Sequence, residues 1–129
     1  MSKLSEAELI DLVENRYFAS VDGKNLEGTL DAFAADATLR VETAKVEHVG
    51  HDAIGRMFGD FMGATAKIYH GDFSHVVDAE KQLIASQFVA RNNYDDGREV
   101  EMNNCNFFAV EDGRFAHVTV YMSDENPLV

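Results

Sequence analysis

Hydrophobic and polar positions alternate most regularly in the last third of the chain, over residues 83–94, 100–110 and 115–122. Each run is rich in β-branched and aromatic residues, and the runs are joined at Asp96-Gly97 and Asp112-Gly113. Asp-Gly between alternating runs predicts two-residue type I′ turns, because both central positions then need positive φ. The expectation is an antiparallel meander of three long strands. Its middle strand carries an unusual polar cluster, Asn103-Asn104-Cys105-Asn106, and buried amides need partners.

Upstream the period changes to that of a helix. Leu9, Ile10, Val13, Tyr17 and Val21 recur at helical spacing. Ser5 and Glu8 form a capping box before them, with Leu4 and Leu9 as the staple. Asp22-Gly23 closes a helix of about five turns. Asn25 caps a second, shorter helix over 26–35. Residues 37–42 and 45–49 read as short strands, and Gly50-His51-Asp52 opens a third helix bearing Ile54, Met57, Phe58, Phe61 and Met62. Gly63 ends it, residues 65–77 form a further strand, and residues 78–81 turn into the meander. Helices segregated from an antiparallel sheet define an α+β fold in one domain, residues 1–129. A bent sheet with a long helix laid across it encloses a cone, which has room for a pocket.

Composition narrows the partners. The formal net charge is −12, which argues against nucleic acid and anionic membrane surfaces and favours a neutral or cationic ligand. Hydrophobic residues make up 46% and charged residues 26%, as expected of a soluble domain. Cys105 is the single cysteine, so no intrachain disulfide and no metal set is expected. The polar, acidic start lacks a signal peptide, and no apolar run nears the ~18 residues that span a bilayer. A cytoplasmic protein is expected. Pro127 is the one proline, in a segment expected to fray.

The segment Arg16-Tyr17 followed by residues 26–38 (LEGTLDAFAADAT) resembles the opening of the nuclear-transport-factor-2-like superfamily. Gly50-His51-Asp52-Ala53-Ile54 is similar to the start of that superfamily's third helix. The superfamily includes ketosteroid isomerase, scytalone dehydratase and SnoaL-like polyketide cyclases. The resemblance covers nearly the whole chain and implies a curved-sheet cone. It is specific for the fold and a poor guide to chemistry, since one scaffold hosts many activities.

Set beside ketosteroid isomerase, the resemblance puts Tyr17 at the place of a hydrogen-bond-donating tyrosine. It puts Val41 at the general base and Cys105 at the protonated aspartic acid. Valine accepts no proton and a thiol donates weakly, so that mechanism is not expected here. Set beside the SnoaL-like members, the run His70-Gly71-Asp72-Phe73-Ser74-His75 resembles a strand opened by a pocket-facing histidine. This implies His70 as the acid/base group, although Ser74 stands where many members have asparagine.

Each residue has a plainer reading beside the functional one. Tyr17 either points its hydroxyl into a pocket or is a core tyrosine. Alternation puts His70, Asp72 and Ser74 on one face and Phe73, His75 and Val77 on the other. Only one of the two histidines then faces the cavity, unless a bulge intervenes. Asp72 is the expected orienter of His70 if that face is inward; the competing reading leaves the face to solvent. On the middle strand Glu101, Asn103, Cys105 and Phe107 share one face, and Met102, Asn104, Asn106 and Phe108 the other. The isomerase resemblance turns Asn103 and Cys105 inward, leaving Asn104 and Asn106 for a dimer interface. Phe88, Ala90, Val118, Val120 and Met122 continue the inner wall, closed by Phe58 and Met62. His117, Thr119 and Tyr121 face outward. His48 and His51 flank the start of the third helix, near acids they could pair with.

The expected protein is a homodimer through its outer sheet face, holding a small hydrophobic molecule and no cofactor or metal. Three functions remain open. One is a cofactor-free lyase, isomerase or cyclase using His70, Asp72 and Tyr17, with Val41, Phe58, Met62, Phe88, Asn103, Cys105, Phe107, Val118 and Val120 lining the site. The second is a non-catalytic module for an apolar ligand. The third is a dimeric scaffold whose cone is filled by its own phenylalanines.

Overall fold

The computed structural model describes residues 3–124 and Leu128; Pro127 lies outside the described residues. Three helices and a six-stranded curved, unclosed sheet make up the chain. Helix α1 covers residues 6–22, beginning as an α-helix at Glu6–Asp11. Ser5 accepts from the Glu8 amide and Glu8 accepts from the Ser5 amide, so the expected capping box is present. The middle of α1, Leu12–Phe18, is wound as a π-helix, and Ala19–Asp22 returns to α geometry. The wider turn brings residues five apart into line. Leu12 therefore falls above Tyr17 and Val13 above Phe18, and all four are buried. A pure 3.6-residue period reserves the buried stripe for Val13 and Tyr17 and misses Leu12 and Phe18.

Helix α2 spans Leu26–Asp31, capped by the Asn25 side chain on the Gly28 amide. It ends four residues earlier than the sequence pattern suggests. The next residues are instead the start of strand β1, Phe33–Val41, which pairs in parallel with β6, Arg114–Tyr121. Phe33 is buried at the base of the cone, so tertiary pairing outweighs the local helical pattern there. Strand β2, Val46–Val49, leads into helix α3, Gly50–Ala64, whose Ile54, Met57, Phe58, Phe61 and Met62 are all buried. Strands β3 (Thr65–Asp78), β4 (Leu83–Tyr94) and β5 (Glu99–Glu111) complete the sheet in the order β2-β1-β6-β5-β4-β3.

Both Asp-Gly pairs turn the chain, by different means. Asp112 and Gly113 have φ of 51° and 79°, the positive pair a type I′ turn requires. At the β4–β5 turn only Gly97 is positive, at 95°, and the Tyr94 amide donates to the Arg98 carbonyl at 2.8 Å. That is a longer loop closed by a left-handed glycine.

One irregularity repositions half of the third strand. Gly71 pairs with Val89 and Ser74 with Gln87, so β3 holds one residue more than β4 between them. Asp72 absorbs it at φ 54°. Across such a bulge the in/out alternation slips by one. Ile68 and His70 before it and Phe73, His75 and Val77 after it therefore all turn towards the core, and Asp72 is exposed. The expected exclusion of one histidine by the other does not apply.

Tyr17 sits at the centre of the core. Its ring lies 4.6 to 6.1 Å from those of Phe18, Phe33, Phe58, Phe108 and Phe115, four of them edge-on. Edge-on pairs favour the ring quadrupoles, so the aromatic residues that fill the cone also fix its shape.

Candidate functional site

The inner wall follows from strand register. Residues directly paired across a sheet point to the same side. Phe88 pairs with Asn104, Ala90 with Met102, and Asn106 with Ser86 and Val120. Since Phe88, Ala90, Val118 and Val120 are buried as expected, Met102, Asn104, Asn106 and Phe108 must be inward, and all four are buried. Asn103, Cys105 and Phe107 are correspondingly on the outer face; Asn103 is exposed and Phe107 is 42% exposed. The expectation that these three line the interior is corrected: placing Cys105 by resemblance alone slips the face of β5 by one residue.

Among the described residues, two adjoining small cavities lie inside the cone, each of about 20 Å³. Phe61, His70, Asn104, Met122 and Leu128 border both. The first is otherwise lined by Tyr17, Phe18, Phe58 and Phe88 with Val21 and Val120, and reaches Asn106. The second is bounded by Ala90, Met102 and Asn92. Val41, Met62 and Val118 are buried in the surrounding core and border neither cavity.

His70 is the polar centre. Its Nδ1 lies 2.6 Å from Asp22 Oδ1, and its backbone amide donates to Asp22 Oδ2 at 3.0 Å. One carboxylate at the end of α1 thus holds both ring and backbone. A carboxylate only accepts, so Nδ1 carries the proton and Nε2 is left as the basic nitrogen. Nε2 has no bonded partner among the described residues, while the ring lies against Phe18 at 4.6 Å and Phe88 at 5.5 Å. Asp72, expected as the orienter, is on the outer side of the bulge, and Asp22 occupies that role geometrically.

Tyr17 borders the aromatic cavity. Burial, and secondarily the Asp22 charge, push its phenol well above the usual tyrosine value. It therefore remains a neutral hydrogen-bond donor throughout the physiological range.

The inner amides are unevenly satisfied. Asn104 Oδ1 accepts from the Ser123 amide at 3.2 Å. Asn92 Oδ1 and Asn106 Oδ1 are buried without a partner among the described residues, one beside each cavity. Leaving such an oxygen desolvated costs about 1–3 kcal/mol each.

A second histidine is tied down nearby. His75 Nε2 is 2.6 Å from Glu14 Oε2, and His75 Nδ1 is 2.7 Å from Ser86 Oγ. The order resembles a nucleophile relay, but Ser86 is fully buried and borders neither cavity, so it joins α1 to the sheet. Among the described residues His48 and His51 pair with no acid: each gives Nε2 to a carbonyl, of Leu128 at 3.0 Å and of Phe33 at 2.9 Å. Among the described residues no group of three or more His, Cys, Asp or Glu side chains forms a metal-binding set.

The outer face carries a shallow groove of about 420 Å³ lined by Asp72, Ser74, Gln87, Asn103, Cys105 and Tyr121 among others. His117 and Tyr121 are exposed there, as expected.

The six-stranded curved sheet thus wraps a long helix, with a histidine–carboxylate pair at its inner wall. The sequence model of the SnoaL-like domain matches residues 15–118. The chain belongs to the SnoaL-like family. It is thereby a member of the nuclear-transport-factor-2-like superfamily, as the sequence resemblance implied. A Xanthomonas campestris pv. campestris protein provisionally described as a polyketide cyclase shares 18% identity at TM-score 0.79, over 89% of this chain and 90% of its own. An NTF2-like protein of unknown function from Burkholderia pseudomallei K96243 shares 16% at TM-score 0.77, covering 95% and 92%. A ketosteroid isomerase-like fold from Catenulispora acidiphila DSM 44928, in complex with trimethylamine, shares 12% at TM-score 0.76, covering 86% and 84%. At these identities the likeness is one of fold. No curated protein is significantly similar in sequence. What membership of the SnoaL-like family shows is a scaffold, which by itself assigns no chemistry.

Proposed function

We propose that this SnoaL-like protein is a cofactor-independent lyase, isomerase or cyclase acting on a small, hydrophobic, oxygenated compound. The observation that carries this reading is the His70 ring, which borders both cavities and is held by Asp22 through Nδ1, with no partner on Nε2 among the described residues. A histidine held through Nδ1 by a carboxylate presents a basic nitrogen of fixed direction, the arrangement that general acid/base catalysis needs. Nε2 removes a proton from carbon next to a carbonyl, and the electron pair moves onto that carbonyl oxygen. The neutral Tyr17 hydroxyl donates to the resulting oxyanion. Imidazolium then returns the proton to another carbon, in isomerisation, or to a departing hydroxyl, in dehydration. No lysine or arginine borders either cavity, which suits a neutral substrate.

Two surfaces complete the reading. Phe107 and Tyr121, 42% and 45% exposed, make the outer sheet face apolar enough to join two copies in a homodimer. No helix is long and apolar enough to cross a membrane, and the acidic charge suits a cytoplasmic, non-nucleic-acid-binding protein.

The test is turnover of a panel of cyclic enones, β-hydroxyketones and lactones by the unaltered chain and by His70→Ala. The proposal expects His70→Ala to lower kcat/KM by about 10²–10⁴-fold on any compound turned over. Equal activity of the two proteins overturns it. The small cavities favour a second reading, a scaffold whose own side chains fill the cone. On that reading no compound of the panel is bound or turned over.

A further inference from the structure

We infer that the inner face of β5 holds one internal water, which bridges the Asn104 amide nitrogen to the Asn106 amide oxygen in the cavity beside Tyr17. The inference is independent of whether the cone turns over a substrate, and it gives the asparagine cluster of β5 a use of its own. Asn104 and Asn106 stand two residues apart on one strand, and both are buried. Same-face neighbours on a strand lie about 7 Å apart at Cα, a separation that one water spans with two hydrogen bonds of about 2.7–3.2 Å. Asn104 is fixed in orientation. Its Oδ1 accepts from the Ser123 amide at 3.2 Å, and the Ser123 hydroxyl accepts from the Asn103 amide at 2.9 Å, so Ser123 grips the strand at two adjacent residues. With Oδ1 committed, the donor Nδ2 is what Asn104 has left to offer. Asn106 Oδ1 is a buried acceptor without a partner among the described residues. One residue offers a hydrogen, the other needs one, and both border the same cavity.

Size and polarity select the occupant. The cavity of about 20 Å³ has the room of one water. A purely apolar cavity stays dry, whereas a buried water needs about two to four polar partners, and Tyr17 and His70 border this cavity together with the two asparagines. Among the described residues no Asp, Glu, Lys or Arg borders it, so neither an anion nor a metal cation is balanced there. Water both accepts and donates, as the Asn104–Asn106 pair requires, and it relieves the desolvated Asn106 oxygen.

Two measurements place and count the water. A high-resolution crystal structure of the unaltered chain is expected to show one oxygen within about 3.2 Å of both Asn104 Nδ2 and Asn106 Oδ1. Relaxation dispersion of ¹⁷O in the solvent, which counts waters held inside a protein, is expected to fall by one water in Asn106→Leu. It should stay unchanged in Asn92→Leu, whose unpaired oxygen lies beside the other cavity alone. No oxygen density between the two amides overturns the inference, as does equal dispersion in the unaltered chain and Asn106→Leu. A loss of the water in Asn92→Leu overturns it as well, because the water then belongs to the other cavity. Should Asn106→Leu fail to fold, the crystal structure of the unaltered chain decides alone.

Discussion

At the residue scale, the site depends on which nitrogen of His70 is protonated. Asp22 accepts from Nδ1, so Asp22→Asn, which can donate instead, should shift the ring towards the other tautomer and lower activity by about 10²-fold or more. The tautomer change is visible in imidazole ¹⁵N spectra without any substrate. Asp72→Asn, on the outer side of the bulge, should leave those spectra unchanged. Tyr17 makes a separate prediction about pH. Its native pKa is raised above the unfolded value of about 10, so the unfolded chain loses this proton first as pH rises. The stabilisation is whole below pH ~10 and is lost above it, with a slope of up to about 1.4 kcal/mol per pH unit for the one proton. Tyr17→Phe should remove this alkaline dependence from urea unfolding curves. Retention of the full slope in the variant would assign the dependence elsewhere.

Elements decide what those residues can meet. The π turn of α1 puts Tyr17 and Phe18 side by side in the core, and the bulge at Asp72 turns His70 and His75 to the same side. Asp72 holds φ 54° while exposed, so Asp72→Val should destabilise by about 1–3 kcal/mol through backbone strain. Asp72→Gly should not. Urea midpoints separate the two. These elements also explain what was legible in the sequence. The capping box, the third helix and the β strands were readable because alternation and caps are local signals. The inward turn of Phe88, Ala90, Val118 and Val120 followed from the same alternation. The face of β5 was not readable from β5 itself, where both faces carry asparagines; only its pairing with Phe88 and Ala90 decides it. Asp22 was missed as the partner of His70 because the two are far apart in sequence and join through the helix end. Asn25's helix was overrun for a similar reason, since Phe33 is claimed by β6.

At the scale of the whole molecule, the sheet has two faces with different tasks. The inner one is closed over aromatic rings, and the outer one exposes Phe107, Tyr121 and Val76. If the outer face joins two copies, Phe107→Glu should shift the sedimenting species from dimer to monomer while leaving the His70 ring spectrum intact. A monomer in the unaltered protein would show that this face has another use. The acidic surface, at a net charge of −12, should keep the monomeric variant soluble.

Chemistry inside the cone at His70 is read out by crystal structures of the protein soaked with cyclic enones and hydroxyketones. Bound compound within hydrogen-bond reach of His70 Nε2 and the Tyr17 hydroxyl is the predicted result. Compound found only in the outer groove beside Asp72 and Cys105, with the cone still closed around its own side chains, would contradict it.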